Sequence, residues 1–383
     1  MPNIKPEVEA FARIKVVGVG GSGSNAVDHM IRSKVRGVDF IAVNTDTQDL
    51  HHTSASKKIH IGKNLTKGLG AGMNPEIGRQ AAEETRDEIQ EMVKGADMVF
   101  VTCGFGGGTG TGARPVVAHS AKNQGILTIG VVTKPFAFEG AERGRLAEEG
   151  LLRLKENVDA LIVIPNDRLL AATSKDTTFL SAFAMSDDVL RQAVEGISDL
   201  IMLPGIINVD FADVRAVLQN AGSALMGVSL ATGEKRAEEA ARGAINSPLL
   251  DFSIDGAKGV LFAIAGGSDM TLWEIQEAAK IITESMDKSA RVIFGAIHDE
   301  RLRKNELKIT VIAAGFPERA NMKPLFVPAG QKDEPLFKVV KKIEPKYVAS
   351  GEPPVVAEKS AVSEKPDESW DAIPAFLRRS RKV

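Results

Sequence analysis

From Arg13 to about Pro204 the chain alternates short, nearly unbroken apolar runs with longer stretches whose apolar residues recur at helical spacing. The runs at 14–19, 39–43, 58–61, 98–103, 127–132 and 160–164 are predicted strands. They do not alternate apolar with polar residues, as expected of strands covered by helices on both faces. Helices are predicted to begin near Gly23, Pro75, Thr109, Gly140 and Asp167. Such alternation predicts a doubly wound, mainly parallel α/β sheet, in which ligands sit at the carboxyl ends of the strands. Thr178 to Leu203 reads as one long amphipathic helix, with Phe179, Phe183, Val189, Val194 and Ile197 among its apolar positions. A second, smaller α/β block follows, with strands predicted at 224–230, 259–265, 291–297 and 307–313 and helices at 234–245 and 272–286. The predicted organisation is a flexible N-terminus (1–12), a ligand-binding α/β domain (13–177), a connecting helix (178–204) and a second α/β domain (205–317). No internal repeat interrupts it.

The pattern is lost beyond Phe316. Nine of the 17 prolines fall between Pro317 and Pro374, among many Lys, Glu, Ser and Val residues, which predicts a disordered linker over 318–366. Bulky apolar residues return in a terminal segment, 367–383, that includes Trp370, Ile373, Phe376 and Leu377 beside Arg378 and Arg379. A short apolar island on a solvated tail is expected to dock on a partner that supplies the missing core.

Composition narrows the class. Of 383 residues 43% are hydrophobic and 26% charged, and no run approaches the ~18 apolar residues that would span a bilayer. Glu7 and Glu9 in an N-terminus without an apolar core argue against a signal peptide, so a cytoplasmic protein is expected. A net charge of −2 gives no reason to expect nucleic acid. Cys103, the one cysteine, cannot form an internal disulfide and reads as a small buried strand residue.

The candidate chemistry is concentrated in glycine. Residues 104–112 hold six glycines and two threonines between a strand and a helix. Backbone N–H groups, short hydroxyls and a helix N-terminus together make a cradle for phosphate. Gly18, Gly20 and Gly23 form a G-x-G-x-x-G turn after the first strand, with Asp39 and Asp46 placed for a ribose contact, which alone suggests a Rossmann site for NAD and an oxidoreductase. Two such loops at neighbouring strand ends suit the longer phosphate chain of a nucleoside triphosphate. No Walker A sequence, kinase landmark, H-E-x-x-H motif or G-x-S-x-G elbow is present. Asp210 and Asp213 read as the start of a helix, Asp210 at its N-cap, and equally as two carboxylates on one side of its first turn that could polarise a water.

Gly106-Gly107-Gly108-Thr109-Gly110-Thr111-Gly112 resembles the signature loop of tubulin-type GTPases. With 18–27, 43–46, 68–72, 133–136, 138–140, 164–168, 208–214, 247–259 and 371–379, the chain closely resembles the FtsZ family of bacterial cell-division GTPases, over nearly all of 11–317 and again at the tail. The resemblance implies GTP hydrolysis coupled to head-to-tail assembly into protofilaments of a division ring at mid-cell beneath the membrane. Gly21, Ser22, Gly23, Ser24, Asn25, Gly107, Gly108, Thr109 and Gly110 would hold phosphates, Glu139 and Arg143 the ribose and phosphate, and Asn166, Phe183 and Asp187 the guanine. Asn208, Asp210 and Asp213 would act in trans on the nucleotide of the next subunit. GTP or GDP with Mg²⁺ is implied, without a dedicated protein cage for the metal. Membrane-anchoring and regulatory division proteins would bind Asp371 to Arg379, touching the membrane only indirectly. The chain departs from the family pattern at Ala141 and Glu142, where arginines are common, at Ser22 and Arg114, where alanine is common, at Phe105, a frequent methionine, and at Asp188 beside Asp187.

Overall fold

The computed structural model describes residues 12–171, 177–247 and 254–316. Residues 1–11, the predicted linker 318–366 and the docking peptide 367–383 lie outside the described residues. The strands are β1 (Ile14–Val19), β2 (Val38–Asn44), β3 (Lys57–His60), β4 (Met98–Gly104), β5 (Leu127–Lys134), β6 (Ala160–Pro165), β7 (Gly205–Ile207), β8 (Gly222–Thr232), β9 (Gly259–Gly266), β10 (Arg291–His298) and β11 (Glu306–Ala314). They form one sheet in the order β3-β2-β1-β4-β5-β6-β8-β11-β9-β10-β7. The first six are paired in parallel. The second block pairs β8 with β11 and β11 with β9 antiparallel, and β9 with β10 parallel. A short parallel ladder from Ala160↔Gly222 to Ile162↔Ala224 joins the blocks.

The unbroken apolar runs are explained by burial on both faces. In β1, Val16 faces a core that includes Phe100, Ile129 and the central helix, while Val17 faces a second core with Val99, Val101 and Val117. All ten predicted strands are present. Only the three-residue edge strand β7 escapes the pattern, being too short to show a period. The helix after β1 begins at Gly20 and the one after β4 at Gly108, each inside its glycine-rich turn. Short helices Thr47–His52, Lys63–Thr66 and Arg86–Val93 are additional to those predicted. Cys103 is buried, its thiol directed at Gly104 O, 2.7 Å away.

Helix Phe179–Met202 matches the predicted central helix and is capped by Thr178, whose hydroxyl accepts from Ser181 N–H at 3.2 Å. Val189, Leu190, Ala193, Val194, Ile197 and Leu200 face the core shared by both blocks. Its other tie is ionic. Glu195, with a side chain only 3% exposed, meets Arg191 (2.5 Å), Arg301 (2.5 Å) and Lys308 (3.4 Å). Arg301 also reaches Asp199 (2.9 Å) and Asp299 (2.8 Å). Burial alone would raise the Glu195 pKa, but Lys308, Arg191 and Arg301 hold it below the ordinary carboxylate value.

Several glycines of the signature loop serve packing. A Cβ on Gly112 would lie 1.8 Å from Pro75 O, and one on Gly78 would lie 2.4 Å from Gly108 O. Helices Pro75–Glu84 and Gly108–Lys122 therefore meet backbone to backbone. Gly107, by contrast, has open space where a Cβ would go and an ordinary φ of −92°. Gly112→Ala should lower the free energy of unfolding by about 2–3 kcal/mol through forced helix separation. Gly107→Ala should stay within about 0.5 kcal/mol. Urea midpoints of the two variants test the contrast, and equal effects would refute it.

Candidate functional site

The carboxyl ends of β1, β2, β4, β5 and β6 border a cavity of ≈ 580 Å³. The two glycine turns lie side by side along it. Gly20 has φ +74°, and a Cβ there would come within 2.9 Å of Gly110 N. Ser22 Oγ accepts from Gly104 N–H at 2.8 Å, and the hydroxyls of Thr45 and Thr109 are 2.6 Å apart. The family's common alanine at position 22 cannot make the first of these links. Neither helix Gly20–Arg32 nor helix Gly108–Lys122 has a side-chain cap or an acidic residue in its first turn. Their leading N–H groups are left to a ligand, and both helix dipoles favour an anion there.

Eleven of the predicted ligand residues line this cavity: Gly21, Ser22, Gly107, Gly108, Thr109, Gly110, Glu139, Arg143, Asn166, Phe183 and Asp187. Gly23, Ser24 and Asn25 do not. Gly23 is pressed against Gly18 and Thr102, where a Cβ would meet Thr102 O at 2.8 Å. Ser24 is buried with its hydroxyl on Gly20 O (3.1 Å), and Asn25 is exposed on the helix. Glu139 accepts from Phe136 N–H (2.9 Å) and from Arg143 Nη1 (2.6 Å), so these two charges are fixed as a pair. Glu142 pairs with Arg145 at 2.6 Å.

At the opposite end of the cavity stand Asn166, from the end of β6, and Phe183, Ser186, Asp187 and Leu190 of the central helix. Asn166 Oδ1 accepts from Ser186 Oγ (3.0 Å), and the Phe183 ring meets Phe136 edge to face at 5.2 Å. The adjacent carboxylates separate, as neighbours on a helix must. Asp188 turns to Arg191 (2.7 Å), Gln192 (2.6 Å) and His29 (3.3 Å), which keep its pKa low against burial. Asp187 has no side-chain hydrogen bond among the described residues, and burial pushes its pKa up to about 6. An acceptor kept without a protein donor is suited to a ligand that brings donors.

Asp46, placed by the sequence for a ribose contact, lines the cavity as well, and so do Asn44, Asp49, Gly70, Met73 and Thr133, which the sequence does not assign to the site. Asp46 caps helix Thr47–His52 by accepting from Gln48 N–H (2.9 Å) and Asp49 N–H (3.2 Å). Burial and the neighbouring Asp46 raise the Asp49 pKa, although Asn44 Nδ2 donates to its carboxylate at 2.5 Å. The approach of Asp49 to the glycine loops has no signal in the sequence, because a short helix of tertiary origin carries it there.

The predicted catalytic residues are elsewhere. Asp210 is the N-cap of helix Phe211–Leu218 and accepts from Asp213 N–H at 2.7 Å. Asn208 Oδ1 accepts from Gly205 N–H at 2.7 Å. Asp213 is exposed and makes no side-chain hydrogen bond among the described residues. None of the three lines the cavity.

Residues 13–174 match the family described as Tubulin/FtsZ family, GTPase domain, and residues 222–317 match the FtsZ family, C-terminal domain. Among solved structures, the chain is similar to an empty FtsZ dimer of M. jannaschii, with 44% identity and a TM-score of 0.78 over 85% of this chain and 96% of that one. A point mutant of M. jannaschii FtsZ is 47% identical, with a TM-score of 0.77 over 80% of this chain and 92% of that one. CetZ2 of Haloferax volcanii, solved as a GTPγS-bound protofilament, shares the fold at 23% identity and a TM-score of 0.67, over 80% of this chain and 94% of that one. The NAD reading gives way to these matches and to the second loop in the same cavity.

Asp187 yields a pH test. In the folded chain its carboxyl holds a proton up to about 6, against an ordinary 3.8. The folded state thus binds more protons across that window, and its stability falls as pH rises through it. Asp187→Asn abolishes the ionised form. Its melting temperature should equal that of the native chain below about pH 4, pull ahead between 3.8 and about 6, and keep its lead above. A lead that does not change with pH would show that Asp187 ionisation is not its source.

Proposed function

The chain belongs to the FtsZ family of tubulin-like GTPases, and from that premise we propose that it polymerises head to tail and hydrolyses GTP at the junction between two subunits. The observation that carries this reading is a separation. Asp187 lines the cavity near the start of the central helix, whereas the 208–213 loop follows that helix's end at Met202. Residues 187 to 202, at about 1.5 Å each, span about 22 Å along the axis. A chain whose acidic loop lies beyond the end of the helix that carries its cavity residues completes its site with a second copy. Such a heterologous contact does not close on itself and so generates a filament.

In this reading the uncapped N–H groups of the two glycine turns hold the phosphates, and the Glu139–Arg143 pair adjoins ribose and phosphate. Phe183 stacks on the base. Asp187 accepts from guanine N1 and N2, donors that adenine does not present as a pair. GTP affinity should accordingly weaken as pH falls below about 6, where the free site holds a proton that must leave first. In the incoming subunit, Asp210 already caps its helix and shapes the loop, so Asp213 is the carboxylate free to orient and deprotonate the attacking water, with Asn208 holding the turn. Among the described residues no three His, Cys, Asp or Glu side chains form a metal cage, so Mg²⁺ fits only as an ion carried by phosphate and water. When bound, it supplies charge neutralisation on the phosphate oxygens.

Exposed apolar side chains stand beside both ends of the proposed junction. Leu69, Phe138 and Leu180 neighbour the cavity residues Gly70, Glu139 and Phe183, and Ile206 precedes the acidic loop. Burying them on assembly favours the contact. Loss of the γ-phosphate weakens the junction and permits turnover. In the cell this assembly would form a division ring at mid-cell, in the cytoplasm, tethered to the membrane by adaptors that bind Asp371 to Arg379. No helix among the described residues is long and apolar enough to cross a membrane.

Two variants test catalysis in trans. Asp213→Ala should keep GTP affinity but lower turnover by about 10²–10³-fold. Gly107→Asp has room for its Cβ but sets a carboxylate among the phosphates, and should abolish binding. Mixed, the intact cavity of one meets the intact loop of the other, so phosphate release should recover. Native turnover per subunit should also rise with protein concentration. Turnover independent of concentration, with no recovery on mixing, would exclude a shared site.

A further inference from the structure

Two of the family departures noted in the sequence touch each other. Arg114 is fully buried, and its guanidinium Cζ lies 4.0 Å from the centroid of the Phe105 ring. Helical side chains lean toward the helix N-terminus, which carries this one back beneath the glycine loop. There Nη2 donates to Gly110 O at 3.2 Å, while Nε and Nη1 have no hydrogen-bond partner among the described residues. No carboxylate among the described residues pairs with it. Burial lowers its pKa only to about 9, so it stays cationic at neutral pH. A cation–π contact offsets part of the desolvation. It does not supply an opposite charge, and an unpaired buried cation is costly.

The two residues that touch it, Phe105 and Gly110, are themselves walls of the cavity. The missing anion therefore belongs on their far side. We propose that Arg114 is a positioning and specificity residue for the phosphate chain, a buried cation behind the glycine loop whose charge the bound polyphosphate compensates, favouring the triphosphate over the diphosphate. The proposal rests on the GTP-site reading above. Arg114 acts through the loop and does not touch the ligand, so its signature is a graded dependence on ligand charge rather than loss of all binding. Two unit charges acting across about 10 Å at an effective dielectric constant of about 20 interact strongly enough for roughly a tenfold difference in affinity.

The test compares GTP, GDP and GMP binding by calorimetry to the native chain, Arg114→Met and Arg114→Lys, with thermal melts of each chain without nucleotide. Arg114→Met should lose affinity most for GTP, less for GDP and least for GMP, cutting the GTP:GDP preference roughly tenfold. It should melt no lower than the native chain when empty, because an unpaired buried charge has been removed. Arg114→Lys keeps the charge and should retain most of the preference; it also serves as the readout if the Met variant fails to fold. Equal losses for all three nucleotides, or an unchanged GTP:GDP ratio in Arg114→Met, would overturn the proposal while leaving the GTP site intact. A native chain that binds no guanine nucleotide would instead overturn the reading on which it rests.

Discussion

The central helix sets the spacing on which the rest of the molecule depends. Its first turns supply Phe183 and Asp187 to the cavity, and its last residue leads through β7 into the acidic loop. One apolar stripe seats it in the core shared by both blocks, and the ion cluster around Glu195 ties it to the second block. The two ties differ in kind. Apolar burial favours the helix in the core but tolerates sliding, whereas Glu195 reaches Arg301 and Lys308 of the second block in one register only. Removing a single partner from such a buried cluster is strongly destabilising, even though replacing the whole cluster by apolar residues is often neutral. The cluster therefore holds the helix at one height, and with it the distance between the Asp187 side of the cavity and the 208–213 loop.

The glycine loop reconciles two demands on one segment. It must let a helix press against a neighbouring helix and against β4, and it must leave N–H groups open to a ligand. Different glycines meet each demand: Gly112 sits where a Cβ would collide with Pro75 O, while Gly107 has nothing near it. Ser22 and Thr45 then fasten the loop to its neighbours through Gly104 and Thr109. The cradle is thus preorganised by side chains that need not touch the ligand.

Strand positions were legible because burial on both faces leaves a strong, unbroken apolar signal, as Val16 and Val17 show by facing different cores. β7 and helix Lys63–Thr66 were not, since three or four residues carry no period and are held by tertiary contact. Within the site, the glycine turns announced themselves through their placement between strand and helix. Gly23, which the motif counts with the ligand residues, is packed against Gly18 and Thr102 and does not line the cavity, since the motif does not distinguish packing from binding. Asp49 comes to the cavity from a different strand end, a proximity that only the sheet order creates. The pairing of Arg114 with Phe105 likewise has no local signature, although each residue stood out singly as unusual.

Asp187 and Arg114 together describe a site whose own side chains leave two charges uncompensated among the described residues. One end holds an acceptor without donors, made reluctant to ionise by burial; the other holds a buried cation without an anion. Each is unfavourable in the free protein, and neither can be relieved by a carboxylate or amide of the same chain among the described residues. A guanine nucleotide has complementary groups in the corresponding order, donors on the base and negative charge on the phosphates. Because a ligand that binds only the folded state stabilises it by mass action, the nucleotide would raise stability by relieving both ends at once. In the proposed assembly the same relief would link occupancy to the loop that a neighbouring subunit meets, so that the state of the phosphate chain would be expressed at the junction itself.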